Sequence, residues 1–385
     1  MARHSGILLF SAVATLVVLG LIMLTSTTVW TPEMRNSDDV YASVKRQAVW
    51  MGLGVFFACL LSMIDYRRLQ SCWLWLFLGV CVLLSFCYVD GIRYVNYGEG
   101  RWVKFPGLPV IQPSEFAKPI VVLALACWYA QYQAEAKCLV RGFLVPGLLL
   151  GGPCLLILFE RDLGTTMVLG AVGGGLMFVA GSRISLLGLT AGIAALGGYK
   201  FVQSDPVRSM RLTAFWNMDD PEIRAGAGYQ LAQGLKALQN GGWFGTGVGN
   251  GTAKLGALPF ANNDFIFAAL GEELGLVFSL LVVSSFVLIV ISGLAIAIYA
   301  REFHGKILAA GLTMIIVVPA MLNIGVVTGS LPVTGLPLPF MSQGGSNLFC
   351  TLVSVGLLFS VHRRCTFIET TELARTKERK FALKL

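Results

Sequence analysis

The sequence contains little charge. Asp, Glu, Lys and Arg make up 13% of its 385 residues, whereas 56% of the residues are hydrophobic, and the mean hydropathy is +0.73. So few charges exclude the two or three soluble domains that this length would otherwise favour, and long apolar segments must face lipid instead. The net charge of +8 does not indicate a nucleic-acid partner, because a membrane protein with basic inner loops carries the same excess.

Runs without charge predict the membrane spans. A charge at the middle of a bilayer costs roughly 3 kcal/mol, and a helix needs about 20 apolar residues to cross it. We therefore predict an all-α polytopic membrane protein, with one domain of about ten transmembrane helices over residues 1–362 and a charged cytoplasmic tail over 363–385. The predicted spans are about residues 6–29, 47–64, 70–89, 114–133, 141–159, 163–182, 184–201, 265–299, 307–328 and 345–362.

The distribution of basic residues indicates the orientation. With both termini in the cytoplasm, fifteen of the 29 basic residues and only six of the 21 acidic residues fall on the inner side. This satisfies the positive-inside rule. The outer side then carries one large hydrophilic segment, about residues 202–263, between spans 7 and 8.

In this orientation the outer side lacks histidine and cysteine. All three His and all nine Cys fall within spans or on the inner side. This excludes a disulfide framework, a His/Cys zinc site and a histidine catalyst on the outer face. Acid–base chemistry there must use a carboxylate, Lys or Tyr.

The outer segment is rich in glycine where it approaches span 8. Seven of the sixteen residues from Gly241 to Gly256 are glycine. Backbone N–H groups of such a loop can converge on an anion such as phosphate. A flexible loop without a ligand is the alternative, since the GxxxxGK[ST] motif and a strand–turn–helix context are both missing.

A second outer segment, GEGRWVKFPGLPVIQPSEFAK, leads into span 4. Arg101, Trp102 and Lys104 in it are expected at the level of the lipid headgroups, where a tryptophan flanked by cations typically anchors a protein at the interface.

Charged residues also enter the spans themselves. Glu115 and Lys118 lie three residues apart at the start of span 4, so they can pair with each other or with a charge on a neighbouring span. Asp162, at the outer end of span 5 or 6, is the expected remote partner of Lys118. An ion pair between helices and a polar path for a substrate both fit this pattern.

Asp264 stands directly before span 8, where the polar loop ends. It can be a helix N-cap, which stabilises a helix by about 1 kcal/mol. It can also be a carboxylate held at the membrane surface beneath the glycine-rich loop and suited to act as a general base. Glu272 and Glu273, about two turns deeper, must face the interior of the bundle.

Several motifs, in order along nearly the whole chain, resemble those of the SEDS family (shape, elongation, division and sporulation), which includes RodA, FtsW and SpoVE. The motifs are RQAVW, DYRRL, GEGRWVKFPGLPVIQPSEFAK, ERDLGTT, GYQLAQGLKAL, GGWFGTGVGNGTAKLGALP, DFIFAALGEELG and the stretch from Asn323 through GSLPVTGLPLPFMSQGGS. The resemblance implies ten helices, both termini in the cytoplasm and a large outer loop between the seventh and eighth helices, as the charges also predict.

The resemblance further implies a peptidoglycan glycosyltransferase that polymerises lipid II at the outer face of the bacterial plasma membrane. Asp264 matches the family's catalytic Asp, the expected general base. Cations that could neutralise the leaving diphosphate are Arg101, Lys104, Lys118, Arg208, Arg211 and Lys254, or a divalent cation such as Mg²⁺ or Mn²⁺. Other residues at family positions tied to activity, to the central cavity or to the signature are Trp102, Glu115, Lys118, Asp162 and Ser342.

The family also implies partners: a class B penicillin-binding protein that crosslinks the strands, and other membrane proteins of the divisome or elongasome. GYQ, GNGTAKL and the GGSN ending favour the division branch, similar to FtsW. Three departures from the family pattern stand out. Phe260, Asn262 and Asn263 replace the usual Glu, His and Thr. The chain has ERDLGT where the family usually has QPDLGT, and SQGGSN where it usually has SYGGSS.

Two other functions fit the same features. A lipid II flippase, or another transporter of a lipid-linked substrate, would also carry charges inside its spans. Against a transporter stand the lack of internal repeats and the concentration of the motifs on one face. A non-catalytic scaffold for division enzymes is the third class.

Overall fold

The computed structural model describes residues 2–28, 41–96, 99–107 and 109–382, and this part of the chain is built of helices with one short hairpin. The hairpin strands are β1 (Arg93–Asn96) and β2 (Glu99–Val103). The helices are α1 (Ala2–Thr28), α2 (Ala42–Met63), α3 (Trp73–Ser85), α4 (Pro113–Gln131), α5 (Val145–Phe159), α6 (Leu163–Val179), α7 (Ile184–Gln203), α8 (Pro206–Trp216), α9 (Pro221–Ala225), α10 (Tyr229–Gly241), α11 (Ile266–Tyr299), α12 (Phe303–Val327) and α13 (Gly345–Ala382).

A helix covers each of the ten segments predicted to span the membrane, so the prediction of an all-α polytopic fold is confirmed. By length and composition, seven helices in the described part of the chain can cross a membrane: α1, α2, α5 with the π-helical turn before it, α7, α11, α12 and the first part of α13. The apolar helices α3 and α6 are shorter, and α4 carries Glu115 and Lys118. The number of crossings and their orientation stay predictions.

The core of the bundle surrounds α12. Its most apolar stretch is 72% buried, and it packs against α4, α6 and α11, while α13 packs against α2. Helix α7 is the opposite case, because none of its apolar stretch is buried. A helix that is apolar all round and buried by neighbours belongs to the centre of a bundle, whereas α7 presents its apolar side chains to lipid.

The segments outside the spans are ordered by local caps and strand pairing. In the antiparallel hairpin, Tyr94 of β1 lies opposite Trp102 of β2; the sequence analysis did not predict these strands. The large segment before α11 contains α8, α9 and α10. Asp205 caps the N-terminus of α8 and Asp220 that of α9, each by accepting hydrogen bonds from backbone N–H groups.

Candidate active site

Asp264 lies where the large segment joins α11. The N-cap of this helix is Phe265 and no side chain caps it, so the N-cap interpretation of Asp264 is wrong. Phe265 and Ile266 are fully buried behind the carboxyl group, which is itself partly buried. Among the described residues, Asp264 Oδ1 has no hydrogen-bond partner. The backbone therefore holds the carboxylate in place, with one buried oxygen left without a partner among the described residues.

The surroundings of Asp264 change its basicity. Burial raises the pKa of this carboxyl group to about 6, while its own backbone N–H and the positive charge of Arg211 oppose the rise. A carboxylate with a pKa near 6 is mostly ionised at neutral pH and binds a proton more tightly than an ordinary Asp. Both properties suit a general base.

The loop between α12 and α13 fixes the backbone around Asp264. The Asn323 side-chain amide donates to the carbonyl oxygens of Asp264 and Leu336, each at 2.7 Å. Ser342 Oγ donates to the carbonyl of Asn263 and accepts from the Leu338 N–H at 2.8 Å. Ser342, predicted as a site residue from the signature, thus positions the chain next to Asp264. Asn323 stands at the start of the signature, and no local pattern in the sequence indicates its role in positioning Asp264.

Unsatisfied polar atoms cluster at this place. Besides Asp264 Oδ1, the buried atoms without a hydrogen-bond partner among the described residues include Asn323 Oδ1 and Thr334 Oγ1. Thr334 precedes Gly335, where an added Cβ would lie 3.9 Å from Asp264 Oδ2. Buried polar groups in native proteins normally have partners, so a bound water or a polar group of a ligand would satisfy these atoms.

Two departures from the family pattern contact each other. The Asn262 side-chain amide donates to Gln343 Oε1 at 2.7 Å, and the Gln343 N–H donates to the Asn262 carbonyl at 3.0 Å. The residues that replace the usual His and Tyr therefore form one connection between the segment before α11 and the signature loop. Phe260, another residue here that departs from the family pattern, has a left-handed backbone with φ +56°.

Lys118 and Glu115 form a buried ion pair within α4. Lys118 Nζ lies 2.7 Å from Glu115 Oε2, and the Asn347 side-chain amide donates to the same oxygen at 2.8 Å. Of the two pairings that the sequence left open, the one within α4 is observed. The prediction that Asp162 is the partner of Lys118 is wrong, because Asp162 Oδ1 lies 3.6 Å from Arg101 Nη1 instead and also accepts from a backbone N–H at the start of α6.

Arg101 and Arg208 converge on a single carbonyl group. Each guanidinium donates to the Arg161 carbonyl, at 3.0 Å from Arg101 and 2.8 Å from Arg208. Glu99 lies 2.6 Å from Arg101 and Asp205 lies 3.5 Å from Arg208. The two arginines thus link the hairpin and α8 to the end of α5, and their charges are largely balanced by acids.

Lys254 faces the protein interior rather than a substrate site, which corrects its assignment as a cation for the diphosphate. Its side chain is 1% exposed, with Nζ 2.7 Å from Glu273 Oε1, and it donates to Ser26 Oγ at 2.8 Å. A buried ammonium held in this way cannot reach a ligand without breaking the ion pair.

The glycine-rich loop binds anions that belong to the protein itself. The Gly249 N–H donates to Glu273 Oε2 at 2.9 Å, and the Ala253 N–H donates to Glu272 Oε2 at 3.0 Å. The sequence left an anion site and a flexible loop both open here, and the structure places two carboxylates of α11 against the N–H groups of this loop. The N–H groups of the loop therefore stabilise the buried carboxylates of Glu272 and Glu273.

Two of the predicted cations stay exposed. Lys104 Nζ lies 5.9 Å from the centre of the Tyr94 ring. Arg211 on α8 makes no hydrogen bond or ion pair with any described residue, and it lies close enough to Asp264 to lower the pKa of that carboxyl group. Among the predicted cations, Arg211 is thus the one whose charge acts on the Asp264 carboxyl group.

The described residues contain no group of three His, Cys, Asp or Glu that could hold a metal ion. Mg²⁺ and Mn²⁺ are often bound by one or two carboxylates together with substrate phosphates. Asp264 is the one carboxylate that the described part of the chain places here, so a divalent cation at this position would be held chiefly by the substrate.

The fold and this site define a multi-pass helical membrane protein with an acidic site where its large loop meets α11. The family model of the FtsW, RodA and SpoVE proteins, described as "Cell cycle protein", matches residues 7–366. The chain belongs to this family, which confirms the membership that its motifs predicted.

Curated relatives agree over nearly the whole chain. A protein of Geobacter metallireducens named "Probable peptidoglycan glycosyltransferase FtsW" is 34% identical over 364 residues, covering 94% of this chain and 95% of the relative. One of the same name from Thioalkalivibrio sulfidiphilus is 38% identical, over 94% of this chain and 90% of the relative. "Stage V sporulation protein E" of Bacillus subtilis is 37% identical, over 90% and 94% respectively.

Solved structures share the fold. A chain from the structure described as "Structural coordination of polymerization and crosslinking by a peptidoglycan synthase complex" has a TM-score of 0.74 and 27% identity, covering 93% of this chain and 97% of that one. The rod shape determining protein RodA of Thermus thermophilus has a TM-score of 0.65 and 26% identity, covering 92% and 95%. The arrangement of helices around Asp264 is therefore that of the family.

Proposed function

We propose that the protein is a peptidoglycan glycosyltransferase that polymerises lipid II at the outer face of the bacterial plasma membrane, with Asp264 as the general base. The observation that carries the proposal is the partly buried carboxylate of Asp264, whose Oδ1 has no hydrogen-bond partner among the described residues. The signature loop holds the backbone of Asp264, and relatives of this chain are named as enzymes of this class.

The reaction needs one base. Asp264 takes the proton of the 4-hydroxyl of the acceptor sugar, and the hydroxyl oxygen forms a bond to the anomeric carbon of the donor. The bond from that carbon to the diphosphate oxygen breaks, and undecaprenyl diphosphate leaves with the electron pair. Attack opposite to the leaving group inverts the anomeric carbon, so no second carboxylate is needed as a nucleophile.

Arg211 supplies the positive charge for the leaving diphosphate. Arg101 and Arg208 have acidic partners, whereas Lys118 and Lys254 are buried in ion pairs. Arg211 is exposed and without a described partner, and its charge acts on Asp264. A cation placed where negative charge develops lowers the barrier more than one that is already neutralised. Lys104, also exposed, is the second such cation.

The same proposal extends to partners and location. One structural neighbour comes from a peptidoglycan synthase complex that coordinates polymerisation with crosslinking. We therefore propose a class B penicillin-binding protein as the partner of this chain, and division, together with other divisome membrane proteins, as its setting. The charge distribution, with the excess of basic residues on the side opposite to Asp264, supports an outward-facing site.

The deciding experiment uses the purified protein with its class B partner and labelled lipid II. Wild type should produce glycan strands, Asp264→Asn should produce none, and Asp219→Asn should behave as wild type, because Asp219 is an exposed carboxylate of the same outer segment. Normal strands from Asp264→Asn would exclude the proposed base. If, in addition, lipid translocation in vesicles depended on this protein, the protein would be a transporter rather than an enzyme. If neither wild type nor Asp264→Asn produced strands, the result would favour a non-catalytic scaffold.

A further inference from the structure

Helix α11 is interrupted at Gly275. This residue has φ +77° and ψ −172°, far from helical values, so the backbone groups around it lose their partners within the helix. The turn of residues 242–247 supplies new ones. The four hydrogen bonds run from the Leu276 N–H to the Gly242 carbonyl (2.9 Å), from Val277 to Trp243 (3.3 Å), from Thr246 to Glu272 (2.9 Å) and from Gly247 to Glu273 (3.0 Å).

The contact between this turn and α11 leaves no room for side chains. An added Cβ at Gly245 would lie 2.2 Å from the Glu273 carbonyl oxygen, and one at Gly275 would lie 2.4 Å from the Gly245 nitrogen. Gly245 also has φ +79°, a conformation that suits glycine. The turn is therefore fixed against one point of the helix and cannot shift along it.

Two aromatic side chains project from the fixed turn. Trp243 is 67% exposed and Phe244 is 85% exposed. The adjacent residues of α11 are apolar and exposed as well: Leu276, Val277 and Phe278 are 41%, 46% and 38% exposed. Since the Val277 N–H donates a hydrogen bond to the Trp243 carbonyl, the aromatic pair continues the apolar face of α11 that begins at Gly275.

The length of α11 gives the level of this turn in the membrane. Residues 276–299 contain no charged residue, and these 24 residues of helix are about 36 Å long, slightly more than the hydrocarbon core of about 30 Å. Arg301 and Glu302 follow at the far end. Gly275 therefore lies at the opposite boundary of the membrane, which is the outer one in the predicted orientation.

We infer that Trp243 and Phe244 insert into the outer leaflet at the boundary between headgroups and acyl chains, and that they anchor the outer segment there. Trp is favoured at this level because its ring is apolar and its N–H can meet the headgroups, while Phe244 can reach the acyl chains. The occupant is lipid because the pair is continuous with a helix face that has lipid length and no charge. This inference does not depend on the proposed reaction.

The test uses tryptophan fluorescence of the full-length protein in liposomes. The fluorescence of Trp243 is obtained by subtracting the spectrum of Trp243→Phe from that of wild type. The control is Trp216, which is 74% exposed at the end of α8 and whose fluorescence is obtained in the same way from Trp216→Phe. Lipids brominated high on the acyl chain should quench the Trp243 signal about two-fold more than lipids brominated at the chain ends, and aqueous iodide should have little effect.

A Trp243 signal that iodide quenches and brominated lipids leave unchanged would overturn the inference. That result would be expected if the pair instead formed a surface for another protein, since the purified chain would then expose it to water. If Trp243→Phe fails to fold, Phe244→Trp adds a second probe to the same turn. The difference between this variant and wild type must then show the same preference for lipid quenching.

Discussion

Three carboxylates at the start of α11 differ in how completely they are satisfied. Every carboxylate oxygen of Glu272 and Glu273 accepts hydrogen bonds, from the glycine-rich loop, its neighbouring residues and Ser26, and Glu273 also pairs with Lys254. Asp264, two turns earlier, has an oxygen without a partner in the described part of the chain. Charges that stabilise a fold are paired when buried, whereas a reactive carboxylate keeps atoms free for its substrate.

The comparison separates two kinds of effect. Variants of Asp264 should remove activity and leave the fold intact, because no described side chain depends on its carboxylate. Variants of the Glu272 and Glu273 region should reduce stability first, because each removed group leaves a buried partner unsatisfied. Measurements of activity and of thermal unfolding on the same variants therefore test whether Asp264 serves the reaction and whether Glu272 and Glu273 serve the fold.

The largest expected effect is that of Asp264→Asn on polymerisation. Loss of a general base lowers rates by about 10²- to 10⁴-fold, while the melting temperature in detergent should not fall. In wild type, kcat/KM for lipid II should decrease as the pH falls through about 6, because the carboxyl group with its pKa near 6 then becomes protonated. A rate that stays constant from pH 7 to pH 5 would show that another group is the base.

The next effect is that of Lys254→Met on stability. This change leaves Glu273 charged, buried and without its ammonium partner, which typically costs about 3–5 kcal/mol. The double variant Lys254→Met with Glu273→Gln should recover most of the loss, since the amide oxygen of Gln can still accept from the Gly249 N–H and its N–H can donate to Ser26 Oγ in place of Lys254. Thermal unfolding measures both, and a single variant that melts like wild type would mean that the ion pair contributes nothing.

A smaller change is expected for Arg211→Gln. Hydrogen bonds to charged groups contribute about 1.5–3 kcal/mol, so the rate should fall by roughly 10- to 100-fold, with the fold unchanged. Because Arg211 lowers the pKa of Asp264, its removal should also move the acidic limb of the pH–rate profile upwards. Lys236→Gln, on the exposed side of α10, is the control. An unchanged pH–rate profile would show that Arg211 does not act on Asp264.

The pair Asn262 and Gln343 can be tested by exchange with the usual family residues. Asn262→His and Gln343→Tyr should each lower activity and stability, because each breaks the 2.7 Å hydrogen bond between the two side chains. The double variant should lose less than the two singles together, with a coupling of about 0.5–3 kcal/mol. Additive effects in the double-mutant cycle would show that the two departures are independent.

The parts of the site that are local in sequence could be predicted, and the parts that depend on distant contacts could not. The spacing of Glu115 and Lys118 predicts their ion pair because residues three apart meet on one helix face. The glycine-rich loop left an anion site and a flexible loop both open, and its sequence did not indicate that Glu272 and Glu273 would contact it. Lys254 contacts Ser26 across 228 positions of sequence, and no pattern near either residue indicates that contact.

The effect of Glu160→Gln, which restores the usual family residue, should depend on pH. Glu160 is buried, and its oxygens have no hydrogen bond of ordinary geometry among the described residues. Burial raises the pKa of this carboxyl group from 4.5 to about 8, and the nearby Cys87 thiol opposes the rise only in part. Because the unfolded chain loses this proton at lower pH than the folded protein does, wild type loses stability as the pH rises from about 4.5 to about 8. The variant should melt a few degrees higher at pH 8 and like wild type below pH 4.5. An equal gain at both pH values would mean that the shape of the side chain, rather than its charge, limits stability here.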